Sequence, residues 1–106
     1  MSAIDQLATE FKTAMQSLYG DKLAQVILYG SCARGDDHVN SDVDFAVILR
    51  EEPTERWREI ERMYPVTSRL SEKFNQSIAP TIIAESRLQS SVNLFVSNIR
   101  REGIVV

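Results

Sequence analysis

One cysteine, Cys32, and one histidine, His38, are all that this chain has of either residue, and that scarcity removes several chemistries. A lone thiol cannot close an internal disulfide, and it rules out a multi-cysteine zinc site. No uninterrupted apolar stretch approaches the roughly 18 residues of a membrane-spanning helix. The opening Met1-Ser2-Ala3-Ile4-Asp5 also lacks the charged-then-apolar order of a secretory signal, so a cytoplasmic protein with no membrane partner is expected. Positive charge is in short supply: 12 Lys and Arg against 15 Asp and Glu leave a net charge of −3. That balance disfavours nucleic acid as the main partner, because binding it draws on many cations to neutralise phosphates. Repeats, low-complexity tracts and linkers are missing too. What remains, 106 residues at 43% hydrophobic and 25% charged, reads as one globular domain over 1–106 with a modest core.

The apolar spacing outlines the elements. Ile4, Leu7, Phe11, Met15 and Leu18 recur at three and four residues, the stripe of an amphipathic helix over 3–18, with Ser2 as N-cap and Gly20 as its stop. Short apolar runs at 24–29 and 45–49 read as buried strands, and residues 31–35 add one helical turn between them. A polar loop follows over 36–41. Pro53 suits the start of a second helix over 53–62, which Pro65 breaks or kinks before a further helical piece to Lys73. Residues 77–84 form a third strand whose Pro80 calls for an edge or a bulge. Ser86 caps a last helix over 87–101 with Leu88, Val92, Phe95, Val96 and Ile99 on one side. This order predicts an α+β fold, a small mixed sheet of three or more strands with helices packed on it. Residues 55–62 alternate charge and give the favourable pairs Glu55 with Arg58 and Glu59 with Arg62, a solvated helix face, while Trp57 beside them suits either core or partner contact.

The chemistry concentrates between the first two strands. Tyr29-Gly30-Ser31-Cys32-Ala33-Arg34-Gly35 leaves one strand through a Gly-Ser turn, and Ser41-Asp42-Val43-Asp44 leads into the next. Asp42 and Asp44 are one residue apart, so on a strand they project from the same face roughly 6 to 7 Å from each other. Val43, Phe45 and Val47 take the opposite face. Two adjacent like charges beside an apolar strand repel and resist desolvation, which drives one toward protonation unless a cation compensates. Mg²⁺ is suited to that role, since it binds one or two carboxylates and completes its oxygen shell with substrate phosphates and water. Gly30 lets the backbone approach a phosphate closely, Ser31 offers a hydroxyl and an N–H, and Arg34 can pair with phosphate oxygens. Alone, Gly-Ser is an ordinary turn and Asp-x-Asp a solvated strand end; their combination in this order points to a Mg-nucleotide site. Cys32 in that turn reads as a small apolar filler rather than a nucleophile, because no activating partner accompanies it. His38 reads as a solvated loop residue, with a nucleotide contact as the alternative.

Gly30-Ser31, ten residues, then Asp42-x-Asp44 resembles the signature of the DNA polymerase β-type nucleotidyltransferase superfamily. The fuller string Gly30-Ser31-x-Ala33-Arg34-Gly35 with Ser41-Asp42-x-Asp44 is similar to its minimal branch, antitoxin-like chains often encoded beside HEPN-domain partners. The closing Asn98-Ile99-Arg100-Arg101-Glu102-Gly103-Ile104 also looks like the chain ends of that branch. The resemblance implies a mixed sheet with flanking helices, Mg²⁺ as cofactor and ATP or another NTP as substrate. By position it makes Gly30 and Ser31 triphosphate-binding, and Asp42 and Asp44 the metal-binding catalytic pair. The superfamily carries a third carboxylate on a later strand. Here the later strand, Ile78-Ala79-Pro80-Thr81-Ile82-Ile83-Ala84, has no acid, with Glu72 before it and Glu85 at its end.

Two functions follow from this reading. One is a Mg-dependent nucleotidyltransferase moving an NMP, AMP from ATP by expectation, onto an acceptor hydroxyl on a partner protein in a toxin–antitoxin type pair. The other is a weak or inactive nucleotide-binding module that neutralises a HEPN-like partner by occupying it. In the first, a substrate or partner supplies the missing base.

Overall fold

The computed structural model describes residues 2–35 and 41–106. The chain runs α1 (Ala3–Tyr19), a 3₁₀ turn (Gly20–Lys22), β1 (Leu23–Tyr29), α2 (Ser31–Arg34), β2 (Val43–Leu49), α3 (Arg56–Phe74), β3 (Ile78–Ala84), α4 (Glu85–Ser90), α5 (Leu94–Glu102) and β4 (Ile104–Val105). The order across the sheet is β3-β2-β1-β4. β1 pairs antiparallel with β2 and β4, while β2 and β3 are parallel, so the sheet is mixed and the expected α+β class holds.

The period-two pattern of the strands feeds two cores. On one face Val26, Leu28, Val43, Phe45 and Val47 meet Leu7, Phe11 and Met15 of α1 and Met63 and Leu70 of α3. Phe11 stacks on Phe45 with ring centroids 4.3 Å apart, joining the first helix to the middle of the central strand. On the other face Ile27, Ala46, Ile48 and Ile83 are covered by Leu88 of α4 and by Val96 and Ile99 of α5. α1 begins as its sequence demands. Ser2 Oγ accepts from the Asp5 N–H at 3.1 Å, the Asp5 carboxylate accepts from the Ser2 N–H at 3.4 Å, and Gly20 ends the helix at φ +53°.

Four expectations are corrected. Pro65 does not break α3, which is one helix of 19 residues. Pro65 and Glu61, the residue whose carbonyl loses its donor, are both exposed residues, so that carbonyl is not lost in the core. The helix starts at Arg56, three residues after Pro53, with Glu55 as N-cap. The single last helix is two, because Ser91 is extended and Asn93 starts a new helix, its Oδ1 accepting from the N–H groups of Phe95 and Val96 at 2.9 and 3.3 Å. Ser86 lies inside α4 rather than capping it. Val92 in the break is 96% exposed, so the expected continuous apolar face does not exist there. The closing residues form β4, and the four strands agree with the expected sheet of three or more.

Other expectations stand. Pro80 is on the edge strand β3, where a missing N–H costs no ladder bond on the open side. Arg58 pairs with Glu55 at 3.5 Å and Arg62 with Glu59 at 3.0 Å. The loop expected over 36–41 lies, apart from Ser41, outside the described residues, and so does His38. No helix among the described residues is long and apolar enough to cross a membrane.

Candidate active site

The site is built where β1 ends and β2 begins, which antiparallel pairing brings together: Tyr29 is the cross-strand partner of Asp44. Gly30 follows Tyr29 at φ +77° and ψ −156°, a conformation L side chains rarely adopt. A Cβ at Gly30 would also overlap the Asp44 carboxylate at Oδ2. Backbone geometry and packing therefore both require glycine, and the Asp44 carboxylate lies directly against its Cα. Ser31 opens α2, whose single turn is closed by N–H groups of Ala33 and Arg34 donating to the Gly30 carbonyl at 3.1 Å. Gly35, at φ +79°, ends it in the left-handed region.

The two acids differ in setting. Asp42 precedes β2 and is exposed, whereas Asp44 is the second residue of β2 and half-buried. Burial raises the Asp44 pKa above the ordinary carboxylate value, the nearby charge of Asp42 raises it further, and the Arg34 guanidinium offsets part of the rise. Asp42, Asp44 and Arg34 thus share one electrostatic neighbourhood, with Gly30 packed into it. Arg34 also reaches Glu102 at the end of α5, 3.8 Å away. Cys32 packs against the first core, its Sγ 3.7 Å from the Asp42 carbonyl, in keeping with a packing role.

A Gly-Ser turn stands against an Asp-x-Asp strand on this sheet, and residues 8–100 match the nucleotidyltransferase domain family. The chain belongs to that family. It is 35% identical over 103 residues to a chain of Methanocaldococcus jannaschii named, provisionally, as a protein adenylyltransferase, covering 97% of this chain and 98% of that one. In fold it is similar to a toxin–antitoxin crystal structure with AMP-PNP, at TM-score 0.59 and 19% identity, covering 88% of this chain and 67% of that one. It is also similar to a complex of a tri-AMPylated Shewanella oneidensis HEPN toxin with its MNT antitoxin, at TM-score 0.53 and 13% identity, covering 93% and 70%.

Among the described residues, β3 brings no third acid beside Asp44. β3 lies parallel beside β2 with Ala79 next to Asp44 and Thr81 next to Ala46. Glu85 lies beyond the far end of β3, with a carboxylate oxygen 4.0 Å from Arg50. The six strand positions between Asp44 and Arg50 put it about 20 Å from Asp44. Glu72 is exposed on α3. Among the described residues no group of three or more His, Cys, Asp or Glu could hold a metal. The donor set is two hard carboxylates with a repulsion to relieve, which fits a Mg²⁺ that takes its other ligands from phosphate and water.

Three residues of the site's surroundings escaped sequence reasoning. Tyr29 lays its ring edge-on to Phe95, with centroids 5.7 Å apart, and its hydroxyl donates to Thr81 Oγ1 at 3.3 Å. The phenol crosses β2 from β1 to β3, which the missing side-chain bulk of buried Ala46 permits. Burial chiefly, and the Asp44 charge secondarily, raise the Tyr29 pKa, while the Thr81 hydrogen bond acts the other way. The available signal was Tyr29 itself, a polar-tipped residue sharing strand parity with Ile27 at the end of an apolar run. Its reach to Thr81 depends on strand order, which local patterns do not contain.

Proposed function

We propose that this nucleotidyltransferase domain, acting as one unit over residues 1–106, moves AMP from Mg-ATP onto a hydroxyl of a separate protein of HEPN type. The turn at Gly30, whose side-chain space Asp44 fills, presents the backbone that binds the triphosphate, with the Ser31 hydroxyl and the Arg34 guanidinium as its donors. Asp42 and Asp44 hold Mg²⁺, which when bound offsets charge developing on the phosphates. The acceptor oxygen forms a bond to the α-phosphorus, the bond from that phosphorus to the pyrophosphate oxygen breaks, and pyrophosphate leaves. The strand beside Asp44 carries no acid, and in this reading the hydroxyl proton goes to a base of the substrate or partner. A cytoplasmic setting, where ATP and Mg²⁺ are present, suits this chemistry.

The observation that carries this reading is the half-buried Asp44 carboxylate packed against Gly30, its pKa raised first by burial and then by the charge of Asp42. A small domain keeps such a repulsive pair at a cost that a cation offsets. The names of the relatives agree with protein as acceptor and with a toxin as partner. The acid-free β3 favours a second reading, in which the domain binds nucleotide and neutralises its partner by occupying it. Incubating the purified chain and its HEPN-type partner with ATP and Mg²⁺, then weighing the partner by mass spectrometry, separates the two. Adenylyl additions that disappear in Asp42→Asn are expected. Equal inhibition of the partner by wild type and Asp42→Asn, with no added mass, gives the case to the binding module.

A further inference from the structure

α5 covers the face of the sheet from which Asp44 projects, and one side of the helix meets the site at two points. Asp44 and its cross-strand partner Tyr29 stand on that same face, their Cβ atoms about 5 Å apart. The Phe95 ring packs on Tyr29 at a centroid distance of 5.7 Å and is still 48% exposed. Seven residues on, about two turns along the same side of the helix, Glu102 lies 3.8 Å from the Arg34 guanidinium. The attachment of α5 to the core is made by Val96 and Ile99, each 1% exposed, and Phe95 stands outside that cluster. Its ring is therefore held by Tyr29 and left half open, next to a metal-binding acid. Phe95 and Glu102 are about 10 Å apart along the helix axis at 1.5 Å per residue, a separation of the order of that between the base and the outer phosphates of one nucleotide.

We propose that Phe95 is the nucleobase platform of the site: the base stacks on the open part of its ring while the triphosphate runs to Gly30, Ser31 and Arg34. This assignment rests on the Mg-nucleotide reading of Asp42 and Asp44. The contact with Tyr29 fixes the ring before a base arrives, so little side-chain freedom is lost on stacking. Every base has a π-face, and stacking on an aromatic side chain tolerates any of them, but a two-ring base covers more of Phe95 than a one-ring base. A phenyl ring carries no hydrogen-bonding group to read a base edge. The substrate class is thus a purine nucleoside triphosphate, with adenine and guanine held alike by the ring and pyrimidines held more weakly.

The test is calorimetry on the full chain in Mg²⁺ with ATP, GTP, CTP and inorganic tripolyphosphate, the last presenting the phosphates without a base. Phe95→Leu keeps an apolar contact with Tyr29 and removes the π-face. In that variant the ratio of ATP to tripolyphosphate affinity should fall about tenfold, with tripolyphosphate binding unchanged. Phe95→Trp should keep the wild-type ratio, and the wild type should bind ATP and GTP alike and CTP more weakly. A ratio that does not move in Phe95→Leu overturns the platform and leaves the phosphate site standing; if that variant then loses its HEPN-type partner, the ring belongs to a protein contact. An equal fall for ATP and tripolyphosphate also overturns it, since Phe95 would then act only by packing on Tyr29 beside Asp44. CTP bound as tightly as ATP overturns the purine assignment. A wild type that binds neither ATP nor tripolyphosphate removes the nucleotide site itself, and the platform with it.

Discussion

Gly30 and Asp44 constrain each other: the glycine exists where it does because a carboxylate occupies the space a side chain would need. Gly30→Ala should destabilise the fold by about 1–3 kcal/mol, the cost of a strained backbone, and move the Asp44 carboxylate. Chemical denaturation measures the first, and loss of Mg-ATP affinity by calorimetry reports the second. Asp44 gives a prediction with a sign. Its folded pKa lies above the ordinary value, so its ionised form weakens the metal-free fold; the penalty is complete at neutral pH and is relieved as pH falls through the raised pKa. Mg²⁺ should therefore raise the thermal midpoint at pH 7 and lose that effect as the solution is acidified through this range. Asp44→Asn should melt higher than wild type without metal and show no response to Mg²⁺; an undiminished response would remove Asp44 from the metal site. The pair was legible in the sequence because its chemistry is local, two acids at period two and a glycine turn within 15 residues of them. Tyr29 with Thr81 was not, since it joins residues 52 apart across a strand order that no single segment encodes.

Helices and strands followed their apolar periods wherever tertiary packing agreed with local preference. Where the two disagreed, packing won. Met63, Val66 and Leu70 anchor α3 on the first core across Pro65, so the helix continues through a residue that would end an isolated one. Replacing that residue tests the account. Pro65→Ala restores one helical N–H and should raise unfolding free energy by about 1–3 kcal/mol in dilute solution, read from a denaturant titration. A loss of stability would mean that the proline ring makes contacts worth more than the bond it forfeits. The break before α5 depends on Asn93, and the periodicity of Leu88, Val92 and Phe95 concealed it, because a side-chain cap inside an apolar pattern leaves little trace. Asn93→Ala should cost about 0.5–2 kcal/mol, the range for a lost N-cap. It should also loosen the α5 start that holds Phe95 against Tyr29, visible as faster amide exchange at Phe95 and Val96.

At the scale of the molecule, two helical layers sandwich the sheet and leave the β1–β2 end to carry all the charge chemistry. The sheet brings Asp42 and Asp44, the carboxylates proposed for nucleotidyl transfer, to that end, and it places Ala79 in register beside Asp44 on the neighbouring strand. Glu85, about 20 Å away at the other end of the same strands, cannot act beside Asp44. On the proposed reading the proton of the acceptor hydroxyl leaves by a group of the substrate or partner, and turnover is then a property of the pair. With the chain alone, Mg-ATP consumption should stay at the uncatalysed level. Adding the acceptor protein should start pyrophosphate release in step with its mass gain. Ala79→Asp should partly replace the supplied base, giving slow pyrophosphate release without the partner, on the 10²–10⁴-fold scale by which a positioned base accelerates proton transfer. If the wild-type chain instead adenylylates itself or small acceptors at the rate seen with its partner, the base is already present within these residues, and the acid-free β3 is no deficit at all.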